Sequence, residues 1–250
     1  LGKSPMTLFA GLGATSAVLM LVFKDTILGL AAGVRLTSND MLHKGDWITV
    51  KSVDANGIVE DMSLTTVKVR NFDNTIVTIS PATLVNGSFQ NWIGMQKSGG
   101  RRVKRIVYFD FRSIRLVDEA LKQELLAKHF AVEDSFKLKE SLQKAIEKDI
   151  AEGKDIEDLK NPAALAPTNL QLYRKFMEKY LRQRPEVNTE LTLMVRHMEA
   201  TQCGLPIEFY FFIKDKVWVN YEHILADIME HAYALANEFG LKIYEQYPEQ

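Results

Sequence analysis

The side chains able to do chemistry are few and scattered. The chain of 250 residues has five histidines, His43, His129, His197, His223 and His231, and one cysteine, Cys203. His223 and His231 lie eight apart on a helical stretch, each after a glutamate. Metal ligation is conceivable at that spacing, but a solvated amphipathic face is the more ordinary use of it. Cys203 sits in the turn-like TQCGLP, and a thiol needs a nearby base or cation to act as a nucleophile. Being the only cysteine, it excludes an intrachain disulfide. No HExxH, CxxC or GxSxG spacing occurs, and GLGATS at Gly11–Ser16 lacks both the third glycine and the preceding strand of a dinucleotide fingerprint. The residues therefore point to no catalytic site, no metal site and no cofactor.

One charged pair stands out by its surroundings. Lys24 and Asp25 interrupt VLMLVFKDTILGLAAGV, an otherwise apolar run from Val18 to Val34. A buried soluble helix is destabilised by such a pair, and so is a span facing lipid. From Met6 to Phe23 there are eighteen residues without a charge. As a helix they reach roughly 27 Å, near the hydrocarbon thickness of a bilayer. A signal peptide fits less well, because the apolar run is long and resumes from Thr26 to Val34. The chain opens on Leu1 rather than Met, and further spans are expected ahead of it. Ala10, Gly11, Gly13, Ala14, Ser16 and Ala17 crowd one half of the helix, which lets helix backbones approach closely in lipid.

Beyond Val34 the pattern changes. Trp47 opens a strand, and Ile58–Glu60, Thr65–Arg70 and Thr75–Ile79 are rich in valine, threonine and isoleucine. Asp73-Asn74 is placed for a tight turn, and Pro81 ends the run. Residues 39–95 read as a small β-domain of about five strands, and residues 96–250 as an α+β domain. In the latter the spacing predicts strands at Val103–Phe111, Glu190–Met198 and Ile207–Ile213. It predicts helices at Ile114–Phe130, around Leu138–Ile150 ending near Gly153, at Asn169–Arg182 and at Tyr221–Phe239, with a last strand at Leu241–Tyr244. Residues 161–167 form a Pro/Ala-rich connection. With 46% hydrophobic residues, 25% charged residues and a net charge of −1, nothing calls for a polyanionic partner. Arg101, Arg102, Lys104 and Arg105 could meet nucleic acid or anionic headgroups, but a solvated strand edge or a positive flank of a membrane span explains them as well.

An Ala/Gly-rich apolar helix, a charged break, a shorter apolar helix, a small β-domain and an α+β domain follow in that order. LGLAAGV (Leu28–Val34) before KGDWITV (Lys44–Val50), and GIVEDMSLTTVKVRNFDNTIVTISPATLVNGSFQNW (Gly57–Trp92), resemble the small-conductance mechanosensitive channel family. NWIGMQKSGGRRVKR (Asn91–Arg105) and the insertion around 136–185 resemble its miniconductance-like members. The family's proline-asparagine is Pro81-Ala82 here, Asp25 stands where many relatives have glycine, and Ser16, Val18 and Met20 stand where smaller residues are usual.

The resemblance implies a membrane α-helical pore segment (1–38), an Sm-like β-domain (39–95) and an α+β cytoplasmic vestibule domain (96–250). It implies a ring-shaped homo-oligomer, usually a heptamer, in a bacterial inner membrane, with residues 39–250 in the cytoplasm. It also implies membrane lipids as neighbours and ions and small osmolytes as the permeating species. Helical steps from Leu21 then nominate Ala10, Ala14, Ala17, Leu21 and Lys24 as the pore face, with Phe9, Leu19 and Val22 opposite. Leu21, with Ala17 one turn away, is the expected gate. Met20 is the rival if the phase is one residue off. Lys24 and Asp25 mark the expected bend near the cytoplasmic face, where they would meet water or form an intersubunit salt bridge. A non-conducting membrane-anchored osmotic sensor is the alternative, separable by electrical recording. A nucleic-acid-binding ring is poorly supported, because Glu60, Asp61 and Asp73 offset Lys68 and Arg70 in the β segment.

Overall fold

The computed structural model describes residues 5–130, 140–153 and 166–246. The chain divides into two compact units, Leu1–Lys97 and Ser98–Gln250. The first opens with helix α1 (Pro5–Ser38) and continues with strands β1 (Trp47–Val50), β2 (Ala55–Met62), β3 (Val67–Asn71) and β4 (Ile76–Ile79). Helix α2 (Pro81–Asn86), strand β5 (Gln90–Asn91) and helix α3 (Ile93–Lys97) complete it. The strands make one antiparallel sheet in the order β4-β3-β2-β1-β5.

Alternation builds this sheet. Val67 and Val69 point inward while Lys68 and Arg70 point to solvent, and Ala55, Gly57 and Val59 do the same across the ladder. With Ile48, Val50, Ile79, Leu84, Leu36 and Leu42 they form the core of the unit. Gly57 is required where it stands, because a Cβ there would lie 1.9 Å from the Arg70 carbonyl oxygen. The β3–β4 turn is built by its own side chains. The Asp73 carboxylate accepts from the Thr75 amide (2.9 Å) and hydroxyl (2.7 Å), and Asn74 takes φ +69°. The Thr75 hydroxyl and amide hold the Asp73 carboxyl below its ordinary pKa. Ser80 caps α2, which has Pro81 in its first turn.

The second unit contains β6 (Arg101–Phe109), α4 (Glu119–Ala127), α5 (Glu140–Ala151), α6 (Asn169–Gln183), β7 (Met194–His197), β8 (Leu205–Ile213) and α7 (Trp218–Glu238). Its sheet is antiparallel with order β6-β8-β7. Val103, Val107, Phe109, Val195, Ile207, Phe209, Phe211 and Ile213 share one core cluster with residues of α4, α6 and α7. The other face carries Lys104, Arg196 and Glu208.

Several element boundaries differ from expectation. The helix expected from Ile114 begins at Glu119, because the Asp118 carboxylate caps it by accepting from the Leu121 amide, and Phe111–Ser113 form a separate 3₁₀ turn. β7 is four residues long, shorter than expected, and Leu241–Tyr244 contributes a bridge, Ile243 to Phe109, instead of a strand. Leu138 and residues 161–165 lie outside the described residues.

Asn169 joins the second unit together. It is fully buried; its Oδ1 accepts from the Arg115 amide (3.0 Å), and its Nδ2 donates to the carbonyls of Ser113 (2.9 Å) and Phe239 (3.1 Å). Asn169→Ala removes all three bonds and leaves buried backbone groups unpaired. We expect a loss on the order of 3 kcal/mol, measured as a lower denaturant midpoint, with Asn169→Asp recovering only the acceptor half.

Candidate functional site: the apolar helix and its seat on the β-domain

α1 is one helix of 34 residues, and the most apolar 18-residue window of its Phe9–Ser38 portion has a mean hydropathy of 1.9 with only 11% of it buried within the chain. Length and composition suit a membrane crossing. Three of its hydroxyls are satisfied internally: Thr15 donates to the Gly11 carbonyl (2.9 Å), Thr37 to Gly33 (3.1 Å) and Ser38 to Val34 (3.0 Å).

Ala10, Ala14, Ala17, Leu21 and Lys24 are all exposed on this helix, and Leu21 is 74% accessible. Their spacing puts them on one stripe, and Asp25 falls about 100° further round. Lys24 and Asp25 do not pair with each other, since adjacent helical side chains diverge. Every residue three or four away from either is uncharged: Met20, Leu21, Val22, Ile27, Leu28 and Gly29. Neither has an opposite charge within reach along its own helix. The helix also runs without interruption through both residues. Neither lysine nor aspartate removes a backbone donor as proline does, so the local sequence has no means to break the helix.

The other end of α1 is seated. Ala32 (6% exposed), Gly33 and Leu36 (0%) are its buried positions, one short stripe against the β-domain. A Cβ on Gly33 would fall 2.3 Å from the Leu64 carbonyl oxygen in the β2–β3 turn. Leu36 enters the β-domain core, where full burial of a leucine contributes about 2–3 kcal/mol. The chain leaving α1 is then pinned. Asp46, 6% exposed, accepts from the His43 amide (3.0 Å) and from Asn91 Nδ2 (2.8 Å), and the same Asn91 nitrogen donates to the Met41 carbonyl (3.2 Å). Gly45 turns the chain at φ +93°. Gly33, Asp46 and Asn91 were missed as site residues. Gly33 and Asp46 lie in the two motifs LGLAAGV and KGDWITV, but what they touch is remote in sequence.

The other chemistry-bearing residues have structural uses. His231 Nδ1 lies 2.8 Å from the Asp227 carbonyl, and its ring stacks on Tyr180. Cys203 is exposed in its turn, its amide donating to the Thr201 hydroxyl. The basic strand is engaged by the protein itself. Arg101 lies over Tyr221 (4.3 Å), Lys104 meets Glu208 (3.6 Å), and Arg105 meets Glu222 (3.9 Å). Among the described residues no group of three or more His, Cys, Asp or Glu side chains gathers to hold a metal.

Residues 25–94 match the family model described as the β-domain of mechanosensitive ion channels. Residues 25–94 are thus a β-domain of the mechanosensitive ion channel type. The chain is 33% identical over 90 residues to the small-conductance mechanosensitive channel MscMJ of Methanocaldococcus jannaschii, covering 36% of this chain and 25% of that protein. It is 30% identical over 135 residues to the large-conductance channel MscMJLR of the same organism, covering 54% and 37%. The chain thus spans a quarter to about a third of these relatives. Among solved structures, the closed-state crystal structure of Helicobacter pylori MscS superposes over 100% of this chain and 74% of its own, with a TM-score of 0.60 at 13% identity. Arabidopsis thaliana MSL1 superposes over 97% and 66%, also at 0.60, with 10% identity. At such identities the likeness is one of fold: an N-terminal apolar helix, a β-domain and an α+β region.

The seat of α1 is testable without a membrane current. Gly33→Val must move Leu64 or the helix, so it should raise hydrogen exchange in the last two turns of α1 and lower the thermal midpoint by several degrees. Gly94→Val, where open space surrounds the Cα, serves as the control.

Proposed function

We propose that this chain is the pore-forming part of a tension-gated channel that releases ions and small osmolytes. The observation that supports it most is α1, a helix long and apolar enough to span a bilayer and left uncovered by its own chain except at its seat. Copies arranged in a ring, seven as the family resemblance implies, bring the stripe Ala10, Ala14, Ala17, Leu21 and Lys24 together around an axis. Small residues permit close helix approach in lipid. Leu21 is the one bulky apolar side chain of the stripe, so a ring of it, with Ala17 above, closes the pore by dewetting. Lys24 and Asp25 lie at the cytoplasmic mouth and meet water or a neighbouring subunit's opposite charge. Tension favours the state of larger in-plane area, acting only through the difference between states. The membrane is a bacterial inner membrane and residues 39–250 lie in the cytoplasm.

Leu21→Ser widens the ring and offers hydroxyls to water, which destabilises the closed state. Patch recording of the full-length protein should show opening at lower tension, or leak at rest. Ala17→Ser changes size little and should act weakly. Met20→Ser behaving as the gate variant would shift the helical phase by one residue. A Leu21→Ser channel that assembles and opens at wild-type tension removes Leu21 as the gate.

Lys24→Glu reverses a ring of charge at the mouth. In asymmetric salt the reversal potential should move toward cation selectivity. If Lys24 instead bridges to Asp25 of a neighbour, the variant should lose assembly, because each Asp25 then faces a like charge.

A further inference from the structure

The linker that leaves α1 holds one histidine between two carboxylates. His43 Nε2 lies 3.0 Å from Asp40 Oδ1, and His43 Nδ1 lies 4.0 Å from Asp46 Oδ2. Among the described residues neither carboxylate has another cationic partner.

Each carboxylate stands where it is unfavourable by itself. α1 ends in a Schellman turn, in which the Met41 amide donates to the Leu36 carbonyl (3.1 Å) and the Asp40 amide to the Thr37 carbonyl (3.3 Å). Asp40 fills the left-handed position of that turn at φ +57°, where glycine is the usual residue. It also brings a negative charge to a helix C-terminus, against the macrodipole. Asp46 is only 6% exposed. Its hydrogen bonds come from neutral donors, the His43 amide (3.0 Å) and Asn91 Nδ2 (2.8 Å). A buried carboxylate is tolerated best beside a cation, and His43 is the side chain placed to be one.

The proton on that ring decides how many carboxylates it can serve. Neutral imidazole has one donor nitrogen and one acceptor, so it presents a lone pair to one of the two aspartates. The charged ring donates at both nitrogens. Histidine ordinarily passes between these states between about pH 5 and 8.

We propose that His43 is a proton-operated strap on the seat of α1. Protonated, it ties the end of α1 at Asp40 to the entry of β1 at Asp46; neutral, it lets one of them go. A tie made only by the protonated form firms the seat as pH falls through the histidine's titration and slackens it as pH rises. The strap stands on the geometry of the seat and not on conduction, so a chain that carries no current leaves it intact.

The test is hydrogen exchange of the full chain in detergent, read on peptides covering residues 36–46 at about pH 6 and about pH 8. Exchange times are adjusted for the intrinsic pH dependence, and β8 of the other unit serves as the reference. Protection of residues 36–46 should be on the order of threefold greater at the lower pH. His43→Gln, neutral at both, should lose that difference and match the unsubstituted chain at the higher pH. Asp40→Gly removes the charge and suits the left-handed turn, so it should raise protection at the higher pH and abolish the response. Equal protection of the unsubstituted chain at both pH values overturns the strap. So does a response that survives in His43→Gln or in Asp40→Gly.

Discussion

The structure depends on an apolar surface that the chain does not cover. A helix of 34 residues presents its sides to solvent over most of its length and is buried only where Ala32, Gly33 and Leu36 meet the β-domain. Apolar area of this extent is unfavourable in water. In the proposed assembly lipid covers one side and other copies the other, and each such surface asks for a different residue type. Bulky Phe9, Leu19 and Val22 suit lipid, and the alanine stripe suits close contact or a pore lining. The β-domain holds one end of this helix, through Ala32, Gly33 and Leu36.

That role explains why the seat is made as it is. Gly33 brings the helix backbone against the Leu64 carbonyl, closer than any side chain allows, and Leu36 reaches the core beyond it. Asn91 and Asp46 then tie the departing linker to the strand that follows. A seat fixed by backbone contact, core packing and a buried carboxylate holds the helix end more firmly than exposed ion pairs, which are worth little and are screened.

Much of this was legible because it is local. The Asp73-Asn74 turn is written in side chains that bond within two residues. The strand alternation at Val67–Arg70 needs only a buried and a wet face, and the suitability of α1 for a membrane crossing is a property of composition and length. What was misread depends on competition or on distance. Apolar spacing continues from Ile114 into α4, but Asp118 prefers to cap, so the helix starts late. Gly33 looks like one more small residue in an apolar helix until Leu64 is placed beside it. Asn169 reads as an ordinary polar position, and its importance comes from Ser113, Arg115 and Phe239, 54 to 70 residues away. The pore stripe is legible as a spacing, but lining a pore is a relation among chains, which no single chain's geometry contains.

The distribution of charge follows the same division. The cations of β6 are held within the unit. Glu208, fully buried on the outer face of the sheet, is gripped by Arg196 through Nε and Nη2, both at 2.7 Å, with Lys104 alongside. A carboxylate buried so completely is tolerated because it has cationic partners, and losing one of them would be strongly destabilising. A strand that engages its lysine and arginines in this way offers little free charge to a polyanion. Lys24 and Asp25 differ. Adjacency on a helix keeps them apart, and no residue of their own helix within reach carries charge. A charged pair with no opposite charge in reach along its own helix, in a helix otherwise suited to lipid, is satisfied by water or another subunit, and the proposed mouth in a ring of helices would supply both.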